Sequence, residues 1–437
     1  MMKVSEIMLI NKATSINDIP FTCGYYPLDS EALDGFYIDT SNARGVDVLS
    51  RLEKRFNIII DGIYQQILFL GHMGTGKSTI MYKLEKSLSS KYTVIRFSVQ
   101  KYLDLDKITF IDLLCVIYRQ ILELCTKSER ISEKFEKVYN SFYETIEVET
   151  ENKKIFELDC NGKIEVSANG FIKLISSLTS SMKASKNYRE KIHKIITIKL
   201  DQYIENLNNL IKVVEEDSQK PILLMFEELE KIPYKNALEI FKTYGSYFQN
   251  IKSHMLITTP ISLKYSTDYK QSIISNFTSM EKCPMLAVAN PDGTDYDAGI
   301  NTLRKIIKAR VSENLIEDEA LTNAIKYSGG VLRDLFSMIS NASILCNNNE
   351  IITTDKIEDA FCSLKESMQE ELRSHQIEIL QRVYNNPFGL LEDDEELKLM
   401  TSEIIIEYNG KQWRGIHPAA FAYLNDNKLI EKKRNSN

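Results

Sequence analysis

The chain has 437 residues, 26% of them charged and 43% hydrophobic. That composition is globular, and the length exceeds one ordinary core, so two or three domains are expected. A net charge of −7 excludes a polycation built to coat nucleic acid, and the seven cysteines form no Cys-x-x-Cys pair on which zinc or a disulfide framework would rest.

The N-terminus has Lys3 and Glu6, then the four-residue apolar run from Ile7 to Ile10, too short for a signal peptide. No apolar run approaches the ~18 residues that span a bilayer, so no membrane partner is expected and a cytoplasmic location is the expectation. Residues 1–45 read as a mixed N-terminal segment. Val46, Val48, Leu49, Leu52 and Phe56 recur as one face of a helix does, and they open a core predicted over 46–290.

The apolar run Ile67–Leu70 enters Gly71-His72-Met73-Gly74-Thr75-Gly76-Lys77-Ser78-Thr79, a Gly-x-x-x-x-Gly-Lys-Ser loop followed by a helical pattern. Each part suits a polyphosphate. Glycines let backbone N–H groups converge on phosphate oxygens, and the next helix presents its positive end to the anion. Lys77 is placed to reach the β- and γ-phosphates of ATP, and the Ser78 hydroxyl to ligate Mg²⁺.

A second strand is predicted at Tyr92–Val99 and a helix at Phe110–Leu124. From about 126 to 218 charged and apolar residues alternate at helical spacing without proline, which reads as a largely helical insertion. Asn161-Gly162 between alternating segments predicts a hairpin inside it, over 155–166. Pro221–Phe226 is wholly apolar, as a central parallel strand is, and Glu227, Glu228 and Glu230 follow it. Glu227 is placed to serve the metal and Glu228 to polarise water as general base, while Glu230 could share either role. The strand His254–Thr259 ends in Thr258 and Thr259, either of which could meet a γ-phosphate or the attacking water.

Helices are predicted over 301–345 and 354–370, within a lid spanning 291–370. Ser328-Gly329-Gly330 precedes Arg333, which falls in the first turn of a helix and faces a point where a γ-phosphate could lie. Residues 371–437 read as a small C-terminal domain: a helix at 374–385, a hairpin over 402–417 centred on Asn409-Gly410, and a short helix opened by Pro418. Eleven acidic and nine basic residues give that domain a net −2, whereas a DNA-reading module usually carries a positive excess. Trp413 is expected to pack beneath the hairpin rather than stack on a base.

At GHMGTGKST, FEELEKI and SGGVLRDL the chain resembles AAA+ ATPases, nearest in look to the STAND and origin-recognition-like branch. The resemblance covers roughly 40–370. It implies an α/β fold with a three-layer P-loop parallel-sheet core, a helical lid and a winged-helix-like C-terminal domain. It also implies Walker A at Gly71, Gly74, Gly76, Lys77, Ser78 and Thr79, Walker B at Glu227 and Glu228, sensor 1 at Thr258 or Thr259, and sensor 2 at Arg333. Bacterial ATPases of this look act in defence against phage or as nucleotide-gated switches. Two departures stand out. The metal-side acid is usually Asp, and no arginine lies between Arg189 and Arg304 to serve as a finger for a neighbour's nucleotide. Lys264, Lys270 and Lys282 are present instead, but lysine lacks the planar fork. The expectation is a slow ATPase switch working through a protein partner or a homo-oligomer. The alternative is a DNA-binding loader or initiator that uses its C-terminal winged helix.

Overall fold

The computed structural model describes residues 11–24, 28, 31–58, 60, 62–125, 175, 186–391, 394–408 and 413–430. Its centre is a sheet of β1 (Gln66–Leu70), β2 (Thr93–Ser98), β3 (Ile222–Glu227), β4 (His254–Thr259) and β5 (Ser279–Lys282), in the order β2-β3-β4-β1-β5, with every pairing parallel. Parallel strands covered on both faces lose contact with water, which is why β1 and β3 carry the apolar runs Ile67–Leu70 and Ile222–Phe226. The register places Leu70 beside Thr259 and Ser98 beside Glu227, so the carboxyl ends of these strands open on one edge. β5 was not predicted: it is four residues long, and its Glu281 faces Arg51 and Arg55 instead of a core.

On one face α1 (Val48–Phe56) and α2 (Lys77–Leu88) pack Leu52, Phe56, Met81 and Leu84 against Phe69, Met225 and Leu256. On the other, α3 (Phe110–Cys125) and the long helix α5 (Leu200–Ser218) cover Leu68, Leu224, Phe226 and Ile257. This makes the three layers. The described part of the insertion is helical, as its spacing predicts. Its α4 (Lys186–Ile198) is held to α3 because Asp112, buried, is bound by Arg189 at 2.6 Å and His193 at 3.0 Å. The hairpin predicted over 155–166 lies outside the described residues.

Helices α6 (Asp297–Arg310), α7 (Asp318–Tyr327), α8 (Leu332–Ile344) and α9 (Thr354–Glu371) form a second core. The N-terminal segment belongs to this core. Ile16, Ile19 and Cys23 are buried in it, and Ala13 N–H donates to the Arg310 carbonyl at 2.8 Å. The C-terminal unit consists of α10 (Ile377–Asn385), α11 (Asp394–Thr401), β6 (Ile405–Glu407), β7 (Arg414–Ile416) and α12 (Pro418–Asp426). β6 and β7 pair antiparallel, as the hairpin prediction requires, with Asn409-Gly410 outside the described residues. Trp413 stacks on Tyr408 within that hairpin, centroids 4.4 Å apart. Asp394, Glu395 and Glu396 fall in the first turn of α11, where its dipole favours negative charge. Leu380, Val383, Met400 and Ile405 join the apolar cluster beneath the sheet, so the unit is packed onto the core. Among the described residues no helix is long and apolar enough to cross a membrane.

Candidate functional site

The site begins where β1 ends. All five residues of β1 are buried, and the chain leaves the sheet at Gly71 through a loop that turns on Gly74 (φ +67°) and Gly76 (φ +87°). A side chain at Gly74 would be strained and would also stand 3.0 Å from Val331, because the loop is roofed by the start of α8. Gly76 caps α2, so the helix's free N–H groups and positive dipole end face the loop's concavity. The Thr75 hydroxyl ties the loop to itself through the His72 carbonyl at 2.9 Å. Ser78 and Thr79 stand half-buried on the first turn of α2, and Thr79 Oγ1 accepts from Leu28 N–H at 3.4 Å. Met73 is half-buried in the loop.

Lys77 is buried. Its Nζ donates to the carbonyls of Gly71 at 2.9 Å and His72 at 2.6 Å, and it stands 3.3 Å from a Glu230 carboxylate oxygen. Burial pushes the Glu230 carboxyl up, but Lys77 and the nearby Thr258 hydroxyl outweigh it and hold the group below its ordinary range. Its other oxygen is buried and unpartnered.

The other two glutamates face elsewhere. Glu227 is buried at the end of β3, with Arg96 2.5 Å away, and Arg96 also binds Glu85 of α2 at 2.6 Å. Glu228 sits at φ +74°, a left-handed conformation uncommon for a non-glycine. Its carboxylate accepts from the Ser98 hydroxyl and meets Lys231 at 2.8 Å. Lys77 is therefore paired with the fourth residue of Glu-Glu-Leu-Glu, not with either of the first two. The two threonines at the end of β4 also separate. Thr258 Oγ1 donates to the Phe226 carbonyl at 3.0 Å and accepts from Leu229 N–H at 3.1 Å, bracing the turn that carries the glutamates. Thr259 is fully buried, and its hydroxyl has no partner.

The loop's outer wall comes from later in the chain. Gly330, just before α8, lies so close to the Leu286 carbonyl that a Cβ would be 1.6 Å from that oxygen. Arg333, in the first turn of α8, abuts Gly74, while its guanidinium stands 3.8 Å from Glu403. The neighbouring Asp334 meets His417 at 3.0 Å, and the Tyr408 hydroxyl donates to the Gly329 carbonyl at 2.9 Å. The P-loop itself is bound as well: His72 Nε2 accepts from Glu407 N–H at 2.8 Å. Burial is the main force that pushes His72 down to about 4, with Lys77 and Lys282 adding to it, so the ring is neutral and able to accept. Glu407 in turn takes Lys282 and the Tyr265 hydroxyl, with Lys264 close by. Two of the three lysines considered as substitutes for an arginine finger are thus directed into their own chain.

Sequence reasoning missed Arg44 and Glu403. Arg44 is buried, and its guanidinium donates to the Thr75 carbonyl at 2.5 Å and to the Pro284 carbonyl, fastening the loop from behind. Arg44 lies outside any periodic or motif-bearing stretch and Glu403 at the edge of the predicted hairpin, so no local signal marks either as a site residue.

No protein-family model matches the chain, and no curated protein does. Among solved structures it is similar to a Walker-type ATPase of Pyrococcus abyssi, at 13% identity over 92% of this chain and 99% of that one, TM-score 0.46. It is also similar to Cdc6p from Pyrobaculum aerophilum (12% identity, 90% and 98% covered, TM-score 0.39) and to a single-residue variant of RuvB from Thermotoga maritima (15%, 93% and 99%, TM-score 0.37).

Proposed function

We propose that this chain is an AAA+ type P-loop ATPase that binds ATP with Mg²⁺ and turns it over slowly, acting as a switch on a protein partner or within a homo-oligomer. The observation that carries the reading is the buried Lys77 at the mouth of a glycine-turned loop, charge-balanced by Glu230, whose second oxygen lacks a partner. A buried ion pair is a poor route to stability and a good way to hold a cation ready for an incoming anion. In this reading Lys77 and the amides of 74–79 hold the phosphates, and Arg333 reaches the terminal one. Ser78 and the strand-end carboxylates are all hard oxygen donors of the kind Mg²⁺ takes, and the bound ion would neutralise charge developing on the phosphates.

Hydrolysis needs a carboxylate aimed at water. Glu228, turned to Ser98 and Lys231, would have to rotate to serve. Together with the lack of an arginine between 189 and 304, that supports slow basal turnover. The isolated chain is expected to consume ATP below about 10 s⁻¹, with the activity abolished by Lys77→Ala. A faster rate, or one indifferent to Lys77, overturns the reading. The rival loader would show duplex binding that falls steeply with salt in the presence of ATP. A role in antiphage defence rests on the motif resemblance, and loss of protection in phage plating by Lys77→Ala is its test.

A further inference from the structure

Glu403 belongs to the C-terminal unit, far from the P-loop in sequence, yet it reaches the wall of that loop. It follows α11 at φ +63°. Its side chain is 7% exposed, and one carboxylate oxygen has no partner. The charges facing it are Arg333 and Asp334 from α8, Lys77 from α2, and Glu230 from the turn after β3. Only Arg333 is near enough to pair, at 3.8 Å, and its side chain is 37% exposed, so water weakens its hold.

We propose that Glu403 is a specificity-determining residue of the nucleotide site: in its ionised form it occupies Arg333 in the nucleotide-free chain and competes there with the terminal phosphate of a nucleoside triphosphate. The proposal rests on the ATP reading above. A γ-phosphate held between Lys77 and Arg333 would bring negative charge against both Glu230 and Glu403. Glu230 is secured by Lys77 and Thr258, whereas Glu403 has one distant cation and is the group that yields. A diphosphate, lacking the terminal group, leaves the Arg333–Glu403 contact in place. Displacement of Glu403 would strain its companions on the same unit, the His72–Glu407 and Asp334–His417 contacts. The triphosphate thereby loosens the C-terminal unit from the P-loop, and the diphosphate does not.

The test is titration of the full chain with fluorescent ATP and ADP analogues at pH 8.5, comparing wild type, Glu403→Gln and Lys77→Ala. Glu403→Gln keeps shape and removes charge, so triphosphate affinity should rise about tenfold while diphosphate affinity changes less than about threefold. Hydrogen exchange on wild type is the second measurement, independent of any variant: ATP, and not ADP, should speed exchange of the amides over 404–417. Equal shifts for both nucleotides, or unaltered exchange with ATP, overturn the proposal. If wild type binds no nucleotide, or binds it independently of Lys77, the ATP reading itself fails. Lys77-dependent binding with an inert Glu403→Gln sinks only this inference.

Discussion

Two buried carboxylates feel the charge of the same lysine, and they behave in opposite ways. Glu230 hangs from the turn after β3, Glu403 from the turn after α11. Burial pushes both carboxyls up. At Glu230 the push is overcome by Lys77 at 3.3 Å and by Thr258, and the group stays below its ordinary range. At Glu403 the half-exposed Arg333 at 3.8 Å is too weak, Asp334 and Glu230 add repulsion, and the carboxyl rises to about 8. Desolvation alone does not decide the charge of a buried acid; the distance and solvent exposure of its cation do. The sheet side of the loop is therefore a settled ion pair, and the side facing the C-terminal unit is a poised one.

The sharpest way to break that contrast is to remove the shared lysine. Lys77→Ala leaves Glu230 buried without its cation, which typically costs about 3–5 kcal/mol. Adding Glu230→Ala should recover part of the loss, with a coupling of roughly 1–3 kcal/mol in a double-mutant cycle read by chemical denaturation. If the two losses simply add, the pair is not the settled element described here.

Glu403→Gln tests the poised side. An acid whose folded value lies near 8, against an ordinary 4.5, binds its proton more tightly in the folded state. Its contribution is fully present below pH 4.5 and is lost as pH rises through about 8. Glutamine cannot ionise, so wild type and variant should melt together near pH 5. Near pH 9 the variant should be the more stable by on the order of 1–3 kcal/mol. Thermal melts across that range decide it: a gap that does not widen with pH removes the contrast.

The sheet side was also the legible side. Gly74, Gly76 and Lys77 are adjacent in sequence and carry their chemistry in their spacing, and an apolar run such as Ile222–Phe226 announces a buried parallel strand. The division of labour within Glu227-Glu228-Leu229-Glu230 was not legible. It depends on the positive φ of Glu228, which turns that carboxylate toward Ser98, and on Arg96 claiming Glu227. Of the poised side only Arg333 could be read. Glu403 and Glu407 meet Arg333 and His72 only through packing of the C-terminal unit on the bundle, and contacts between residues so far apart leave no trace in a local pattern. The same is true of Arg44, a single basic residue in a short turn of helix until the fold sets it behind Thr75.

The smallest expected effect on stability separates the two threonines of β4. Thr258→Val strips a buried acceptor from Leu229 N–H and a donor from the Phe226 carbonyl, a loss of about 1–3 kcal/mol, and it loosens the turn that holds Glu230. Thr259→Val removes a hydroxyl that bonds to nothing, so stability should move by no more than about 0.5 kcal/mol. Its effect belongs to function. In the proposed ATP reading this unpartnered hydroxyl beside Leu70, at the root of the loop, would meet the terminal phosphate or the attacking water, and its loss should lower ATP turnover by about two powers of ten. A valine at 259 that melts like wild type and hydrolyses like wild type would make Thr258 the strand-end residue that matters, acting only by bracing the Glu230 turn.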